Sequence, residues 1–339
     1  MAHAVNGGDR LLPTLDDVAR VAGVSRATVS RVVNGGRLVA AETSEAVTRA
    51  IAELGYQPNQ AARALVTRRA GAVAVVVPET DERVFSDPFF PQAYHGALTA
   101  FSGVDTQVLL AMAPPGETAV RMARYLDSGH IDGAIVLSHH GPELARELAK
   151  SAHPAVFIGD PGVPGLPYVE LDQVSAAVTA TRHLINRGAR RIATITGPMD
   201  MNAATERLRG FEEAMAQAGL EPVGTAAGDF TVRGGEKAAT QLLEQEPELD
   251  GLFVASDLMA AGAMRVLRRA GRKIPDQVKV VGFDNSSAAL EASPQLTTMT
   301  NPAGELARIA GEMLLGLLSG ASPEGPVILT SQLVERQSA

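Results

Sequence analysis

The sequence contains no cysteine, which excludes disulfide bonds and zinc sites built on thiolates. No apolar run approaches the roughly 20 residues that a helix needs to cross a bilayer, and residues 1–10 lack the apolar core of a signal peptide. The seven histidines show no pair at metal-binding helical spacing, and no nucleophile elbow is present. Although His139 and His140 are adjacent, these absences favour a cytoplasmic protein that is not an enzyme, needs no cofactor and has no membrane partner.

Charge is distributed unevenly along the chain, whose net charge is −8. Residues 1–70 hold nine arginines and six acidic residues, a net charge of +3, whereas residues 71–339 carry −11. A basic segment joined to an acidic remainder suits local contact with DNA and little non-specific binding elsewhere. With 339 residues, 45% of them hydrophobic, the chain is long enough for two or three domains.

Residues 15–33 contain two short amphipathic helical patterns separated by Gly23. The patterns predict helices over residues 15–22 and 25–33, with Thr14 and Ser25 as N-caps and Asp17 completing a capping box at Thr14. A third helix near residues 42–54 adds apolar side chains to the same core. Two helices too short to be stable alone, joined by a glycine turn, are typical of a helix-turn-helix and predict DNA binding.

The exposed face of the second helix is the predicted DNA-reading surface. Arginine forks can bind guanine edges, and short hydroxyl side chains can bind phosphate oxygens. The predicted DNA-binding residues here are Thr14, Ser25, Arg26, Ala27, Thr28, Ser30, Arg31, Asn34 and Tyr56. A plain three-helix bundle with a solvated arginine face is the alternative interpretation.

A short hinge segment, residues 58–69, follows directly, and Pro58 is suitably placed to begin a helix. This helix has little to bury, so we expect it to form only on DNA, with Leu65 wedged into a minor-groove step. The predicted DNA contacts of the segment are Asn59, Ala62, Arg63 and Leu65. A simple linker helix is the alternative.

From Ala70 onward, apolar strands alternate with amphipathic helices, the pattern of a parallel sheet covered on both faces. The predicted strands are residues 72–77, 107–111, 133–137, 155–158, 192–195, 251–255 and 278–283, and the predicted helices include residues 174–186, 206–218 and 258–270. This number of strands exceeds one comfortable sheet and predicts two α/β lobes.

Polar residues follow most of these predicted strands, and ligands of parallel sheets bind beyond the carboxyl ends of strands. The residues at these ends are Glu79, Ser138, His139, His140, Asp160, Ser256, Asp257 and Asp284. Strand ends can be polar merely because loops are wet, but the set favours a polar cleft that binds vicinal hydroxyls. Phe89 and Phe90 could cover a sugar face or stack on a base, so both ligand classes stay open.

The motifs of the first 65 residues resemble the lactose-repressor-like (LacI/GalR) family of bacterial transcription regulators. The similarity runs through Asp17-Val18-Ala19, Ala22-Gly23-Val24-Ser25, Ala27-Thr28-Val29-Ser30-Arg31-Val32, Asn34-Gly35, Leu54-Gly55-Tyr56-Gln57-Pro58-Asn59 and Ala62-Arg63-Ala64-Leu65. The resemblance implies an all-α helix-turn-helix head plus hinge helix, followed by a two-lobed α/β body of the periplasmic-binding-protein type I fold, with Rossmann-like parallel sheets. It also implies that Arg26, Ala27 and Arg31 face bases and that Leu65 intercalates.

The same resemblance implies an effector site in the body. It places an aromatic pair, Arg207 and Asp284 in the effector pocket, with Asp257 fixing a strand end. The full set of predicted effector residues is Phe89, Phe90, Ser138, His139, Asp160, Arg207, Ser256, Asp257, Phe283 and Asp284. The chain departs from many relatives at residues 159–161, where they carry an arginine, and at residues 172–173, so the resemblance leaves the effector's identity open.

The predicted organisation is a disordered lead (residues 1–13), a helix-turn-helix domain (14–57), a hinge helix or linker (58–69) and an effector-binding and dimerisation body (70–339). The first lobe is expected at residues 70–171 and 301–326, and the second at residues 172–300 and 327–339. We expect a dimeric repressor of transcription that binds a palindromic operator and is controlled allosterically by a small molecule, foremost a sugar. A purine or nucleoside effector, or a solute-binding protein without a DNA role, are the alternatives; the latter leaves the first seventy residues unexplained.

Overall fold

The structure is a computed structural model that describes residues 13–33, 39–56, 69–112, 118–322 and 325–339. The chain divides into two compact units between Ala70 and Gly71, here called the head and the body. Several predictions lie outside the described residues: the lead up to residue 12, most of the hinge segment, and the DNA contacts Asn34, Asn59, Ala62, Arg63 and Leu65.

The described residues of the head form three helices, α1 (Leu15–Ala22), α2 (Arg26–Val33) and α3 (Ala41–Leu54). The predicted capping box is confirmed, because Asp17 N–H donates to Thr14 Oγ1 at 3.3 Å and Thr14 N–H donates to Asp17 Oδ2 at 3.0 Å. Gly23 ends α1 with φ 67°, a left-handed conformation that glycine adopts without penalty. The sequence thus sets both ends of α1 and the turn into α2.

The core of the head is built from small and β-branched side chains of all three helices. Val18, Val29 and Val47 are fully buried, and Ile51 and Leu54 pack against them as predicted. Tyr56 differs from its predicted place on the DNA-binding surface: only 7% of it is exposed, and its ring belongs to this core. An aromatic ring directly after α3 closes an otherwise small core, which explains its burial.

The body contains two six-stranded sheets, one in each lobe. The strands are β1 (Ala72–Val77), β2 (Gln107–Met112), β3 (Gly133–Val136), β4 (Ala155–Ile158), β5 (Tyr168–Leu171), β6 (Ile192–Thr196), β7 (Gly224–Ala227), β8 (Gly251–Val254), β9 (Lys279–Asp284), β10 (Thr297–Thr300), β11 (Val327–Leu329) and β12 (Leu333–Val334). The first sheet has the order β11-β5-β4-β3-β1-β2 and is parallel throughout; the second has the order β12-β10-β9-β8-β6-β7, in which β12 alone is antiparallel.

Helices cover both faces of each sheet, as continuous apolar strands require. The body helices are α4 (Asp81–Ser86), α5 (Phe89–Ala100), α6 (Thr118–Tyr125) with a π-helical turn at Leu126–His130, α7 (Glu143–Leu148), α8 (Gln173–Asn186), α9 (Asn202–Gln217), α10 (Val232–Gln245), α11 (Asp257–Arg269), α12 (Ser287–Glu291) and α13 (Ala303–Leu318). The predicted fold class, a helix-turn-helix head and a two-sheet α/β body, is confirmed.

The chain passes between the lobes three times: from β5 to α8, from β10 to α13, and from β11 to β12. The last passage differs from the predicted lobe boundary, which assigned residues 327–339 to the second lobe. Val327 and Leu329 pair with Val169 and Leu171 in the first sheet. They therefore extend the edge of that sheet, where both side chains are half-buried. The second lobe therefore resumes only near β12.

All seven predicted strands are present within one residue at each end, and the part of the chain that the structure describes forms five further strands that were not predicted. Within the described residues, no helix is long and apolar enough to span a membrane.

Candidate effector cleft and DNA-binding surface

Helix α2 displays two arginines on the surface of the head. Arg26, Ala27 and Arg31 are exposed, in agreement with their predicted outward face. Ser25 caps the helix by accepting a hydrogen bond from Thr28 N–H at 3.1 Å. Arg31 Nε donates to Ala27 O at 3.3 Å, a bond that a guanine edge could replace because the side chain is otherwise exposed.

The hydroxyl residues of the predicted DNA surface have local partners. Thr14 is exposed and caps α1, while the Ser25 and Thr28 hydroxyls lie 2.8 Å apart. Thr28 and Ser30 are half-buried. These hydroxyls therefore brace the turn and the helix that carry the arginines, and their predicted phosphate contacts stay predictions.

A cleft of about 720 Å³, counting its open mouth, lies between the two lobes at the carboxyl ends of the strands. Five of the ten predicted effector residues line it: Phe89, Ser138, His139, Arg207 and Asp284. Reading the residues after each strand therefore located the cleft correctly.

The other five predicted effector residues do not line the cleft. Phe90 and Phe283 are core residues, Ser256 caps α11, and Asp257 is fully buried beneath the strand ends. Asp160 accepts a hydrogen bond from Gly162 N–H at 2.8 Å and lies in a neighbouring loop groove. The polar side chains of this group accept hydrogen bonds from backbone N–H groups, and the two phenylalanines fill the core. These residues therefore stabilise the structure around the cleft and do not line it.

Arg207, on α9, is the central cation of the second lobe. It is only 4% exposed, donates from Nε to Gln173 Oε1 at 2.8 Å and from Nη1 to Ala255 O at 2.5 Å. Its guanidinium lies 3.7 Å from the centroid of the Phe283 ring, and Nη1 is 3.9 Å from Asp284 Oδ1. Burial lowers the pKa of Arg207, and Asp284 opposes that shift. The planar group is thus fixed from several sides, the arrangement that bidentate recognition of a ligand requires.

Asp284 reaches the cleft from an unusual turn at the end of β9. Its φ is 111° and that of Asn285 is 52°, both in the left-handed region. Asp257 holds this turn, because its carboxylate accepts Ser286 N–H at 2.7 Å and Thr298 Oγ1–H at 2.6 Å. Burial raises the pKa of both carboxyl groups, and for Asp257 the charge of Asp284 adds to the rise.

Glu79 organises the polar wall of the first lobe. Its buried Oε1 accepts hydrogen bonds from Ser138 Oγ at 2.6 Å and from Arg83, and lies 3.1 Å from His140 Nε2. Hydrogen bonds from His140 and Ser138 and the charge of Arg83 lower the pKa of Glu79 against the opposing effect of burial. Nearby, burial lowers the pKa of His139, which favours a neutral ring on the cleft wall.

Two aromatic rings line the cleft from opposite lobes. Phe89 is half-buried at the start of α5, where its N–H donates to Asp87 Oδ1 at 2.9 Å. Phe230 follows β7 with φ 62°, and its ring lies directly over Gly197, where a Cβ would come within 2.1 Å of the ring. Arg83 lies 4.9 Å from the Phe230 centroid. The cleft therefore combines flat apolar walls with arginine and carboxylate groups.

Sequence reasoning missed several lining residues, among them Arg83, Asp87, Glu170, Asn202, Phe230, Asn301 and Leu306. Glu170, Phe230 and Asn301 lie in or just after strands that were not predicted, so the sequence did not show that they lie at strand ends.

Two lining side chains, Arg83 and Asn301, each carry a buried polar atom (Nε and Oδ1) with no hydrogen-bond partner among the described residues. A buried unpaired group costs about 1–3 kcal/mol, so these atoms favour a ligand with both donors and acceptors.

Comparison with known proteins identifies the family. Residues 14–59 match the model "Bacterial regulatory proteins, lacI family", and residues 181–339 match a periplasmic binding protein-like domain. The HTH-type transcriptional regulator CelR of Thermobifida fusca is 43% identical over 97% of this chain and 99% of its own length. The chain belongs to the lacI family of bacterial regulatory proteins.

Further relatives agree with this assignment. The ribose operon repressor of Halalkalibacterium halodurans is 33% identical over 90% of each chain. A solved transcriptional regulator CelR–cellobiose complex matches 96% of this chain and all of its own at 40% identity, with a TM-score of 0.77. The lac repressor dimer bound to operator and an anti-inducer matches 97% of this chain and 99% of its own at 27% identity, with a TM-score of 0.87. The chain is thus a transcriptional regulator, and its relatives are not enzymes.

Proposed function

We propose that this regulator is a cytoplasmic repressor that binds a palindromic operator as a homodimer and whose affinity for DNA is controlled by a sugar, of which cellobiose is the leading candidate. The observation that carries the proposal is one chain that combines an arginine-bearing helix-turn-helix with a polar, aromatic-walled cleft. The solved relative in complex with cellobiose, similar along 96% of this chain, supports the choice of sugar.

The chemistry of the cleft supports an uncharged polyhydroxyl ligand. Arg83 and Arg207 are balanced by Asp87, Asp284 and Glu170, so the lining has no excess of cationic groups for a phosphate. Hydroxyl groups both donate and accept, which matches arginine donors placed beside carboxylate acceptors. Phe89 and Phe230 provide flat surfaces for the C–H faces of sugar rings.

Control of DNA binding follows from a difference in effector affinity between two forms of the protein. A ligand shifts an equilibrium only as far as its affinities for the two states differ, and typical couplings of about 1–3 kcal/mol change operator affinity about 5- to 150-fold. Residues of both lobes line the cleft, so cellobiose would favour a closed form in which it contacts both. Residues 58–69, most of which lie outside the described residues, would carry the change to the head.

The proposal is tested by a thermal-shift screen of the full-length protein against mono- and disaccharides and purine nucleosides. We expect cellobiose to raise the melting temperature of the body, because a ligand that binds only the folded state stabilises it. Stabilisation by nucleosides and by no sugar would replace the sugar effector with the purine alternative.

A further inference from the structure

His140 lies between two carboxylates that belong to different lobes. Its Nε2 is 3.1 Å from Glu79 Oε1, which follows β1 in the first lobe. Its Nδ1 is 2.9 Å from Asp200 Oδ2, in the loop between β6 and α9 of the second lobe. Beside this contact, Gly141 N–H donates to Asp200 O at 2.8 Å. Residues 140–141 and 200 therefore form a direct bridge across one side of the cleft.

The geometry distinguishes the two protonation states of the ring. A neutral imidazole donates from one nitrogen and presents a lone pair at the other. Because each ring nitrogen faces a carboxylate oxygen, only the doubly protonated ring donates to both. Loss of one proton leaves a lone pair facing a carboxylate, which turns an attraction into a repulsion.

We propose that His140 is a proton-operated clasp, which binds Asp200 and holds the cleft closed when protonated, and releases Asp200 when it loses a proton. Its consequence for the effector rests on the proposed function: sugar affinity becomes pH-dependent. The contact of His140 with Glu79 is the more stable of the two, because the Glu79 side chain is 5% exposed and that of Asp200 is 60% exposed. Glu79 therefore keeps the ring oriented, and the bond to Asp200 is the one that breaks.

The charged and titratable neighbours of His140 favour protonation of its ring in the closed form. The hydrogen bond with Glu79 raises the pKa of His140, and Asp200 adds to the rise against burial. Arg83 pairs with the same Oε1 of Glu79 that faces His140, and the adjacent His139 lines the cleft. Opening the cleft removes only Asp200, so the closed form has the higher pKa and binds the proton more tightly. Closure is thus favoured at low pH and lost as the pH rises through the pKa of the closed form.

Glu170 is a second titratable group whose ionisation bears on closure, and it needs its own control. Burial and the charge of Glu206, which lies in the second lobe, raise the pKa of Glu170 to about 7. Ionisation of Glu170 near Glu206 also disfavours closure, so a pH effect alone does not identify His140. Variants of the two residues separate the contributions.

The absence of cysteine allows a direct measurement of closure, because engineered cysteines become the only labelling sites. Ala149→Cys and Glu212→Cys place dyes at exposed positions on the first and second lobes. Single-molecule energy transfer in the full chain, without sugar, reports the distance between the lobes from pH 5.5 to 8.5. We expect a shorter distance at pH 5.5, a transition that His140→Gln and Asp200→Asn each abolish, and its retention in Glu170→Gln.

Binding of cellobiose, measured by calorimetry, gives the functional readout. An exposed ion pair contributes up to about 1 kcal/mol, so affinity should be about two- to fivefold higher at pH 6 than at pH 8, and independent of pH in His140→Gln. An unchanged distance between the lobes across this range, or the same transition in both His140→Gln and Asp200→Asn, overturns the clasp. Failure of cellobiose to bind at any pH contradicts the proposed effector instead, because the distance measurement uses no sugar.

Discussion

At the scale of single residues, the proposed DNA binding by the head and the proposed effector binding by the body depend on different side chains. In the head, Arg31 is exposed on α2 and donates a hydrogen bond to a carbonyl of its own helix. In the body, Arg207 and Asp284 are held by several partners at the edge of the cleft. Substitutions in either place should therefore separate DNA binding from effector binding.

Arg31→Ala should weaken operator binding and leave cellobiose binding unchanged. A bidentate arginine–guanine contact is worth about 1–3 kcal/mol, which corresponds to roughly 5- to 150-fold in affinity. Fluorescence anisotropy with an operator duplex measures the loss. Arg49→Ala is the matched control, because it removes the same charge from an exposed position on α3; equal losses in both variants would indicate a general charge effect and contradict base reading by α2.

Asp284→Asn should produce a protein that binds operator normally but no longer responds to cellobiose. The substitution removes a carboxylate acceptor, and hydrogen bonds to charged groups contribute about 1.5–3 kcal/mol, so calorimetry should show about 10- to 100-fold weaker sugar binding. Asp276→Asn, an exposed aspartate outside the cleft lining, is the control. Normal release of operator by cellobiose in Asp284→Asn would remove this residue from the site.

Glu170→Gln should stabilise the protein at pH 8 more than at pH 4.5. Burial and Glu206 raise the pKa of Glu170 to about 7, so the carboxylate is destabilised in the folded state. The cost of ionisation is absent below the ordinary pKa of 4.5, grows between pH 4.5 and 7, and is complete above pH 7. Melting temperatures across this range test the prediction, with Glu244→Gln as an exposed control; a gain that is largest at low pH would contradict it.

At the scale of elements, close packing of α8 against α9 positions Arg207. Gly210 lies three residues after Arg207 on α9, and a Cβ there would come within 2.3 Å of Val174 O on α8. Since this neighbour is backbone, it cannot move aside as a flexible side chain can. The glycine therefore lets α9 approach α8 closely enough for Arg207 to reach Gln173 at the start of that helix.

Gly210→Ala should push the two helices apart, lower stability and weaken effector binding together. Overpacking of this kind costs about 1–3 kcal/mol, measurable by denaturant unfolding. The control is Gly316→Ala on α13, where a Cβ would make an ordinary contact at 3.7 Å and alanine favours the helix. Equal stability of the Gly210→Ala variant and the native protein would contradict the packing argument.

Sequence reasoning predicted the elements with strong apolar character and missed the rest for a physical reason. Strands such as Ala72–Val77 are continuous apolar runs, whereas Gly224–Ala227 lies at a partly exposed edge and Thr297–Thr300 buries threonines. The missed strands hid the residues that follow them, including Phe230 and Asn301. Arg83 was missed because its place in the cleft depends on how α4 packs, which local pattern does not encode.

At the scale of the whole molecule, the charge asymmetry separates the tasks of the two units. The basic head suits phosphate contact, while the acidic remainder limits non-specific binding to DNA. Phosphate contacts release counterions, so operator affinity should fall steeply with salt concentration, whereas sugar binding in the cleft should change little. Anisotropy and calorimetry between 50 and 200 mM salt, a range over which the Debye length falls by roughly half, test this division; a flat salt response of operator binding would contradict DNA recognition by the head.

Control of a DNA-reading head by a sugar bound in the cleft of the body is tested by operator affinity with and without cellobiose. The operator is first selected from random palindromic duplexes with the full-length protein, and its affinity is then measured by anisotropy. We expect selection of one palindrome and an affinity about 5- to 150-fold lower in saturating cellobiose, with no such change in Asp284→Asn. Failure to enrich any duplex, or an operator affinity that cellobiose leaves unchanged, would contradict it.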